Sequence, residues 1–415
     1  MAQPDPSAAA LARTLLTARA VRERSHDLLA LGESGRLLYW RVEPGRIPAV
    51  ADYVIETIKE KYPSLDIPLH ARWRHFTAGG RDRWAEIEAR APWPEGAGRA
   101  RAAFDLAIVS VLLDAGAGPQ WHYVTENGAV LSRSEGLALA SFEMFAAGAF
   151  SADPRDPLRA DASRLAAIEV SDIARGYQVG PDNPLVGLEG RVALLQRLGR
   201  QVAVDPNIFG LQDQPRPGGL FDYLAETKRE NGMLRAPSIL ETVLAHLGPI
   251  WPSRLSLAGV ALGDCWRYPL LQRQDATTGL VPFHKLSQWL SYSLVEPLQT
   301  AGLKLADIDG LTGLPEYRNG GLFMDMGAIS LKEPQEVGKA HEPGSPLIVE
   351  WRALTVALLD RLADVIRKKL GLDAHSLPLA KVLEGGSWAA GRRIALERRA
   401  SGAPPLTIIS DGTVF

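Results

Sequence analysis

Along most of the chain apolar positions recur at helical spacing, and the strict alternation that builds strands is scarce. Residues 11–31 mix apolar and Arg/Glu/Asp positions in this way and end near Gly32. Residues 47–62 repeat the pattern until Pro63 stops it. Further helices are predicted over 99–113, 133–147, 165–177, 185–202, 220–229, 238–247, 283–300 and 347–370. The last carries its own punctuation: Ser345 to cap, Pro346 for the first turn, Lys368 and Lys369 at the negative end of the dipole, and Gly371 beyond. Strands are expected only as short pieces, at 37–41 and 406–409. The first ten residues read as a loose tail. Residues 205–219, with three prolines and three glycines, read as a long loop. The expected architecture is therefore mainly α with a few short strands. An N-terminal helical extension over 1–98 would precede a helical domain over 99–415, with a sub-boundary at 205–219.

Composition narrows the function. The 415 residues are 46% hydrophobic and 23% charged, which predicts a sizeable core and excludes global disorder. A net charge of −2 without a basic stripe argues against a nucleic-acid partner and for a small substrate. Cys265 is the only cysteine, so an intramolecular disulfide and a zinc site of several thiolates are both excluded. The N-terminus lacks the apolar core of a secretory signal. The longest apolar stretch, 104–113, contains Asp105 and is half the ~20 residues that a membrane helix needs. A cytoplasmic protein with no membrane partner is expected.

Four segments carry polar residues that a helical core does not explain. In 113–123, Asp114 ends an apolar helix, Gly116 and Gly118 allow close backbone approach, and Trp121, His122 and Tyr123 follow. These residues suit a pocket wall, although a glycine-capped helix end with core aromatics has the same pattern. In 263–269, Asp264 and Arg267 can pair or bind a polar substrate, beside Cys265 and Trp266. No motif sets a histidine and an acid around Cys265, so a small buried apolar residue is the simpler reading. In 283–290 the helical spacing puts Lys285, Gln288, Trp289 and Tyr292 on one face. In 311–325, Glu316, Arg318, Asn319 and Asp325 surround Gly320 and Gly321. The flanking Leu314, Tyr317, Leu322 and Phe323 imply that this glycine-rich turn is partly buried. Glu316 there is a candidate general base or stabiliser of positive charge. Glu350 and Arg352 open the last long helix, where the dipole favours a glutamate in any case. The eight histidines are scattered, so a metal site would need distant residues such as His122, Asp264, Cys265 and His284. No phosphate loop or dinucleotide fingerprint appears, and no cofactor is expected.

The runs Arg72–Phe76, Gly263–Arg267, Val281–Trp289, Leu311–Leu322, Glu384–Arg392 and Ser410–Phe415 resemble the uracil-catabolism (URC pathway) protein four family over nearly the whole chain. More distantly, their order and spacing are similar to the queuosine-salvage nucleotide N-glycosidases, whose helical fold is akin to that of DNA glycosylases. On that second resemblance Glu316 takes the place of an active-site aspartate. His284–Gln288 and Glu350–Arg352 match two further motifs, and Asp114 and Trp121 a third. Glutamate in place of aspartate, Asn319-Gly320-Gly321, and Gly116-Ala117-Gly118 depart from the glycosidase pattern and point to a different leaving group.

The resemblances imply an enzyme of uracil catabolism acting after uracil has become a ribotide and its ring has been opened. The expected reaction is hydrolysis of the N-glycosidic bond of a ribosylurea phosphate, releasing urea. Glu316 would stabilise charge on the sugar and activate water. Asp114 or Asp264 would supply a proton to the leaving group. Lys285 or Arg318 would hold the phosphate, with Gln288, Asn319, Trp121, His122, Trp266, Glu350 and Arg352 as further substrate-binding candidates. The ring-opening enzyme of the same pathway is an expected partner. The alternatives are a metal-dependent hydrolase of the opened ring and a non-catalytic partner of the ring-opening enzyme. A DNA glycosylase is the alternative by fold, which the charge balance disfavours.

Overall fold

Local capping and tertiary burial together set the longest helix, Pro346–Leu370. Ser345 Oγ accepts the Ile348 N–H at its start, and Gly371, at φ +68°, closes its end. Its buried positions run almost unbroken from Leu347 to Leu359 and on to Leu362, Ala363 and Ile366. A helix buried on every side over that length, Glu350 and Arg352 included, lies inside its unit rather than on it. The computed structural model describes residues 6–91, 93, 96–114, 116–210, 214–227, 229–251 and 255–409. The protein is mainly α, as expected, and its strands form only two- and three-stranded ribbons among the described residues.

The chain folds into two compact units made of interleaved segments. One contains described residues 6–70, 255–288 and 307–409; the other contains 71–251 and 289–306. In the first unit Pro346–Leu370 is packed by the helices Ala18–Glu33, Ile47–Lys61 and Tyr317–Asp325. Trp388–Arg398 lies against the last of these. Gly320 permits that approach: a Cβ there would stand 2.8 Å from the Trp351 indole and from Thr355 Oγ1. Trp40–Val42 pairs antiparallel with Ile329–Leu331, in register Trp40 to Leu331. Cys265–Arg267 pairs antiparallel with Leu280–Pro282. The N-terminal helix Pro6–Thr14 ends in a small apolar cluster in which Ala12 and Leu15 pack with Leu262, Cys265 and Leu280.

In the second unit Gly96–Leu112 is buried over most of its length and packs on Arg133–Ala146 and Gly219–Thr227. Asp105, the charge inside its apolar run, is a clamp. It accepts from Arg216 Nε at 2.8 Å, from Gly218 N at 2.5 Å and from Ala160 N at 3.0 Å. Met233–Arg235 forms a ribbon, antiparallel to Arg229–Glu230 and parallel to Lys304–Ala306.

Several elements differ from the sequence expectation. Residues 11–31 form two helices, Pro6–Thr14 and Ala18–Glu33, because the Thr17 hydroxyl caps the second by accepting from Ala20 N. The expected loose tail is thus helical from Pro6 onward. Residues 165–177 break into Ala162–Ala166 and Val170–Gly176, where Glu169 and Asp172 form a capping box. The loop 205–219 contains a short helix, Pro206–Phe209. Besides the short helices Trp73–Phe76 and Arg83–Glu88, two longer helical regions escaped the sequence reading: Tyr317–Asp325, and the stretch of Leu379–Val382, the π-turn Leu383–Ser387 and Trp388–Arg398. Among the described residues, no helix is long and apolar enough to cross a membrane.

Candidate functional site

Glu316 is the N-cap of Tyr317–Asp325. Its Oε2 accepts from Arg318 N at 2.7 Å and its Oε1 from Asn319 N at 2.5 Å. Aspartate, serine and asparagine are the usual caps, so a glutamate here is a longer arm folded back onto the helix start. The expected glycine-rich turn is corrected by this helix: Gly320 and Gly321 lie inside it, and Gly320 serves packing against Trp351. Glu316 is only 9% exposed. Burial pushes its carboxyl above the ordinary glutamate value, and the two backbone N–H groups with the charges of Lys285 and Arg318 offset only part of that. Arg318 Nη1 donates to Gly402 O at 2.8 Å, and Asn319 Nδ2 to Leu314 O at 3.3 Å. These bonds hold both residues beside the carboxylate.

A second carboxylate in the same unit is treated differently. Asp264 Oδ1 accepts from Trp266 Nε1 at 2.7 Å and from Arg352 Nη1 at 2.8 Å. Its Oδ2 accepts from Arg352 Nη2 at 2.7 Å and from Lys285 N at 3.0 Å. Burial alone would raise it, but the bidentate Arg352 guanidinium, helped by Lys285 N–H and the Trp266 indole, holds it far below the usual carboxylate range. An ionised carboxylate with four donors is an anchor rather than a proton donor. Arg352 also lies over the Phe283 ring, 4.2 Å from its centroid.

The remaining candidates of this unit are built into its frame. Glu350 accepts from the backbone N–H groups of Leu38, Tyr39 and Trp40 at 2.8, 3.0 and 3.2 Å, and from Tyr268 Oη at 2.7 Å. Gln288 joins the start of the Lys285–Thr300 helix to Thr312: its Oε1 accepts from Thr312 N at 2.9 Å and its Nε2 donates to Thr312 Oγ1. Burial, and then the Asp264 charge, push the Cys265 thiol far above its usual range, which leaves it inert as a nucleophile.

In the other unit, Asp114 Oδ2 pairs with Arg72 Nη1 at 3.0 Å. Arg72, fully buried, also donates from Nε to Ser110 Oγ at 2.8 Å. Trp121 is a core residue whose Nε1 donates to Tyr177 O at 2.9 Å. His122 is held by its backbone, its N–H donating to Asn183 Oδ1.

Within one unit, then, the fold brings Glu316, Arg318, Asn319 and the Lys285 charge together, and gathers Asp264, Trp266, Lys285 and Arg352 around one ion pair. Sequence reading missed a third cluster. Glu384, in the π-turn, meets His70 Nδ1 at 2.8 Å and Lys61 Nζ at 3.2 Å. Its only signal was the Glu384-Gly385-Gly386-Ser387 run. Ser410–Phe415 and Ala115 lie outside the described residues. Among the described residues, no group of three or more His, Cys, Asp or Glu is arranged to hold a metal ion.

The class these features define is a mainly helical protein with a buried, helix-capping carboxylate set beside two cations. The chain belongs to the family described as a protein of unknown function, DUF1688, whose family profile matches residues 14–415. It is 40% identical over 414 residues to Protein urg3 of Schizosaccharomyces pombe, covering 97% of this chain and 98% of that protein. It is 37% identical over 432 residues to Uracil catabolism protein 4 of Lachancea kluyveri, covering 95% and 97%. The family expected from the quoted runs is therefore the family to which the chain belongs.

Proposed function

We propose that this protein is an enzyme of uracil catabolism that hydrolyses the N-glycosidic bond of a ribosylurea phosphate, or a closely related ribotide, to release urea. Near full-length similarity to a relative named as a uracil catabolism protein supports the pathway. The reaction class is taken from the resemblance of the segment order to that of nucleotide N-glycosidases. The observation that carries the chemistry is Glu316: a buried carboxylate pinned by two backbone N–H groups and flanked by the charges of Lys285 and Arg318.

Breaking a C1′–N bond sends its electron pair to nitrogen and leaves positive charge on the sugar ring. A carboxylate fixed in a low-dielectric setting stabilises that charge without reorganising. As water oxygen bonds C1′, Glu316 takes the water proton and passes it to the urea nitrogen, which departs as neutral urea. The products are urea and ribose phosphate. A raised carboxyl suits this passage of a proton, since it is closer to neutrality than an exposed glutamate. Asp264, held ionised, has no proton to give; it fixes Lys285 and Arg352 instead. Lys285, half-buried at a helix start, and Arg318 are suited to the phosphate.

Single-turnover mixing of the purified full-length protein with ribosylurea 5-phosphate tests the reading. Urea and ribose 5-phosphate should form at equal rates. Tight binding with no urea released would sink it.

A further inference from the structure

His284, which directly precedes the Lys285–Thr300 helix, is buried with only 1% of its surface exposed. Its backbone is left-handed, at φ +49°, a region that residues other than glycine occupy uncommonly. Its Nε2 lies 2.9 Å from Leu15 O. A carbonyl can only accept, so Nε2 carries the proton, and Nδ1 of the neutral ring presents a bare lone pair. Burial favours that neutral form, outweighing the Asp264 charge. Nδ1 is buried and has no hydrogen-bond partner.

The tether to Leu15 does not account for this atom. Any buried donor could hold that carbonyl, whereas an imidazole adds a second, unsatisfied acceptor. The residue facing it is Gly263, itself at φ +57°. A Cβ on Gly263 would meet only Nδ1, at 3.9 Å, with nothing else within 4 Å beyond its chain neighbours. The lone pair therefore lies against the face of Gly263 where a methyl-sized group would meet nothing else beyond the chain neighbours. Nearby, Asp264 has its oxygens committed to Arg352, Trp266 and Lys285, so Nδ1 is the acceptor left unused in this corner.

We propose that His284 Nδ1 accepts a hydrogen bond from the terminal amide nitrogen of a ureido group, and so forms the subsite for the leaving-group end of the substrate. The inference rests on the proposed hydrolysis. Its chemistry is that of a small, planar, donor-rich group that fits over a glycine. A trapped water on Nδ1 is the competing occupant.

Two substitutions separate the nitrogens. His284→Gln places its amide near Nε2, keeping the Leu15 tether and losing the Nδ1 acceptor. His284→Asn places its amide near Nδ1, tolerates a left-handed backbone and loses the tether. The affinity of full-length Glu316→Gln protein for ribosylurea 5-phosphate should fall at least tenfold with His284→Gln added, at little change in melting temperature. With His284→Asn added, affinity should be largely kept while the melting temperature drops. A purely structural histidine gives affinities that follow the melting temperatures, which would overturn the subsite. Nitrogen-15 NMR of the His284 ring in wild-type protein is the second arm, with N-methylurea and ribosylurea 5-phosphate as probes. The Nδ1 resonance should move on adding either probe. No movement with both probes overturns the subsite whatever the hydrolysis assay shows; movement without urea release leaves the subsite standing and removes the reaction.

Discussion

Glu316 and Asp264 are carboxylates in one unit, each largely removed from water, yet their partners set them in opposite states. Asp264 faces a guanidinium that grips both oxygens, and stays charged. Glu316 faces two backbone N–H groups, with its cations acting only at a distance, and is pushed toward neutrality. Burial raises both. The presence or absence of a bidentate cation decides which one can exchange a proton.

Removing that cation tests the contrast most severely. Arg352→Met leaves Asp264 charged and unpaired, and should cost about 3 kcal/mol in denaturant unfolding. The low end of the buried-pair range applies because the Asp264 side chain keeps 16% of its surface in solvent. An unchanged unfolding midpoint would mean that the pair contributes nothing.

Glu316→Gln should lower the rate of urea release by about 10²-fold or more, with the fold retained, because the amide oxygen can still cap one backbone N–H. A near-wild-type rate would move the chemistry away from Glu316. Glu350→Gln turns an amide donor toward three backbone N–H groups and Tyr268, and should cost about 1–3 kcal/mol in stability. Thermal melts at fixed pH would show it.

The smallest effects lie in pH dependence, and their signs are opposite. Because the Glu316 carboxyl is raised, its contribution to stability is fullest below the ordinary glutamate value of 4.5 and is lost as pH rises through its folded value. The stability difference between wild type and Glu316→Gln should therefore shift against wild type over that window. Asp264 is depressed, so its contribution is present above the ordinary aspartate value of 3.8 and fades as pH falls below it. Parallel pH series of Glu316→Gln and Asp264→Asn that slope the same way would break the comparison.

How much of this was legible in the sequence depends on how local the cause is. Pro346–Leu370 could be read almost to the residue because Ser345, Pro346 and Gly371 act within a turn of its ends. Ile47–Lys61 was legible for the same reason, with Pro63 just beyond it. Tyr317–Asp325 was not, because Gly320 and Gly321 read as breakers. Their purpose is contact with Trp351 and with Pro405, far along the chain. Nor could Glu316 be recognised as a cap, since glutamate is seldom one. The Asp264–Arg352 pair and the His284–Leu15 tether join residues from different parts of the chain, about which periodicity says nothing.

Glu350 bears on how the molecule is made. The three successive amides it receives, at Leu38, Tyr39 and Trp40, stand 312, 311 and 310 residues before it. A ribosome releases those amides early, while their acceptor is still untranslated. Contacts of such span are slow to close. The early segment therefore waits with its donors unmet, and a chain halted short of residue 350 never seats it.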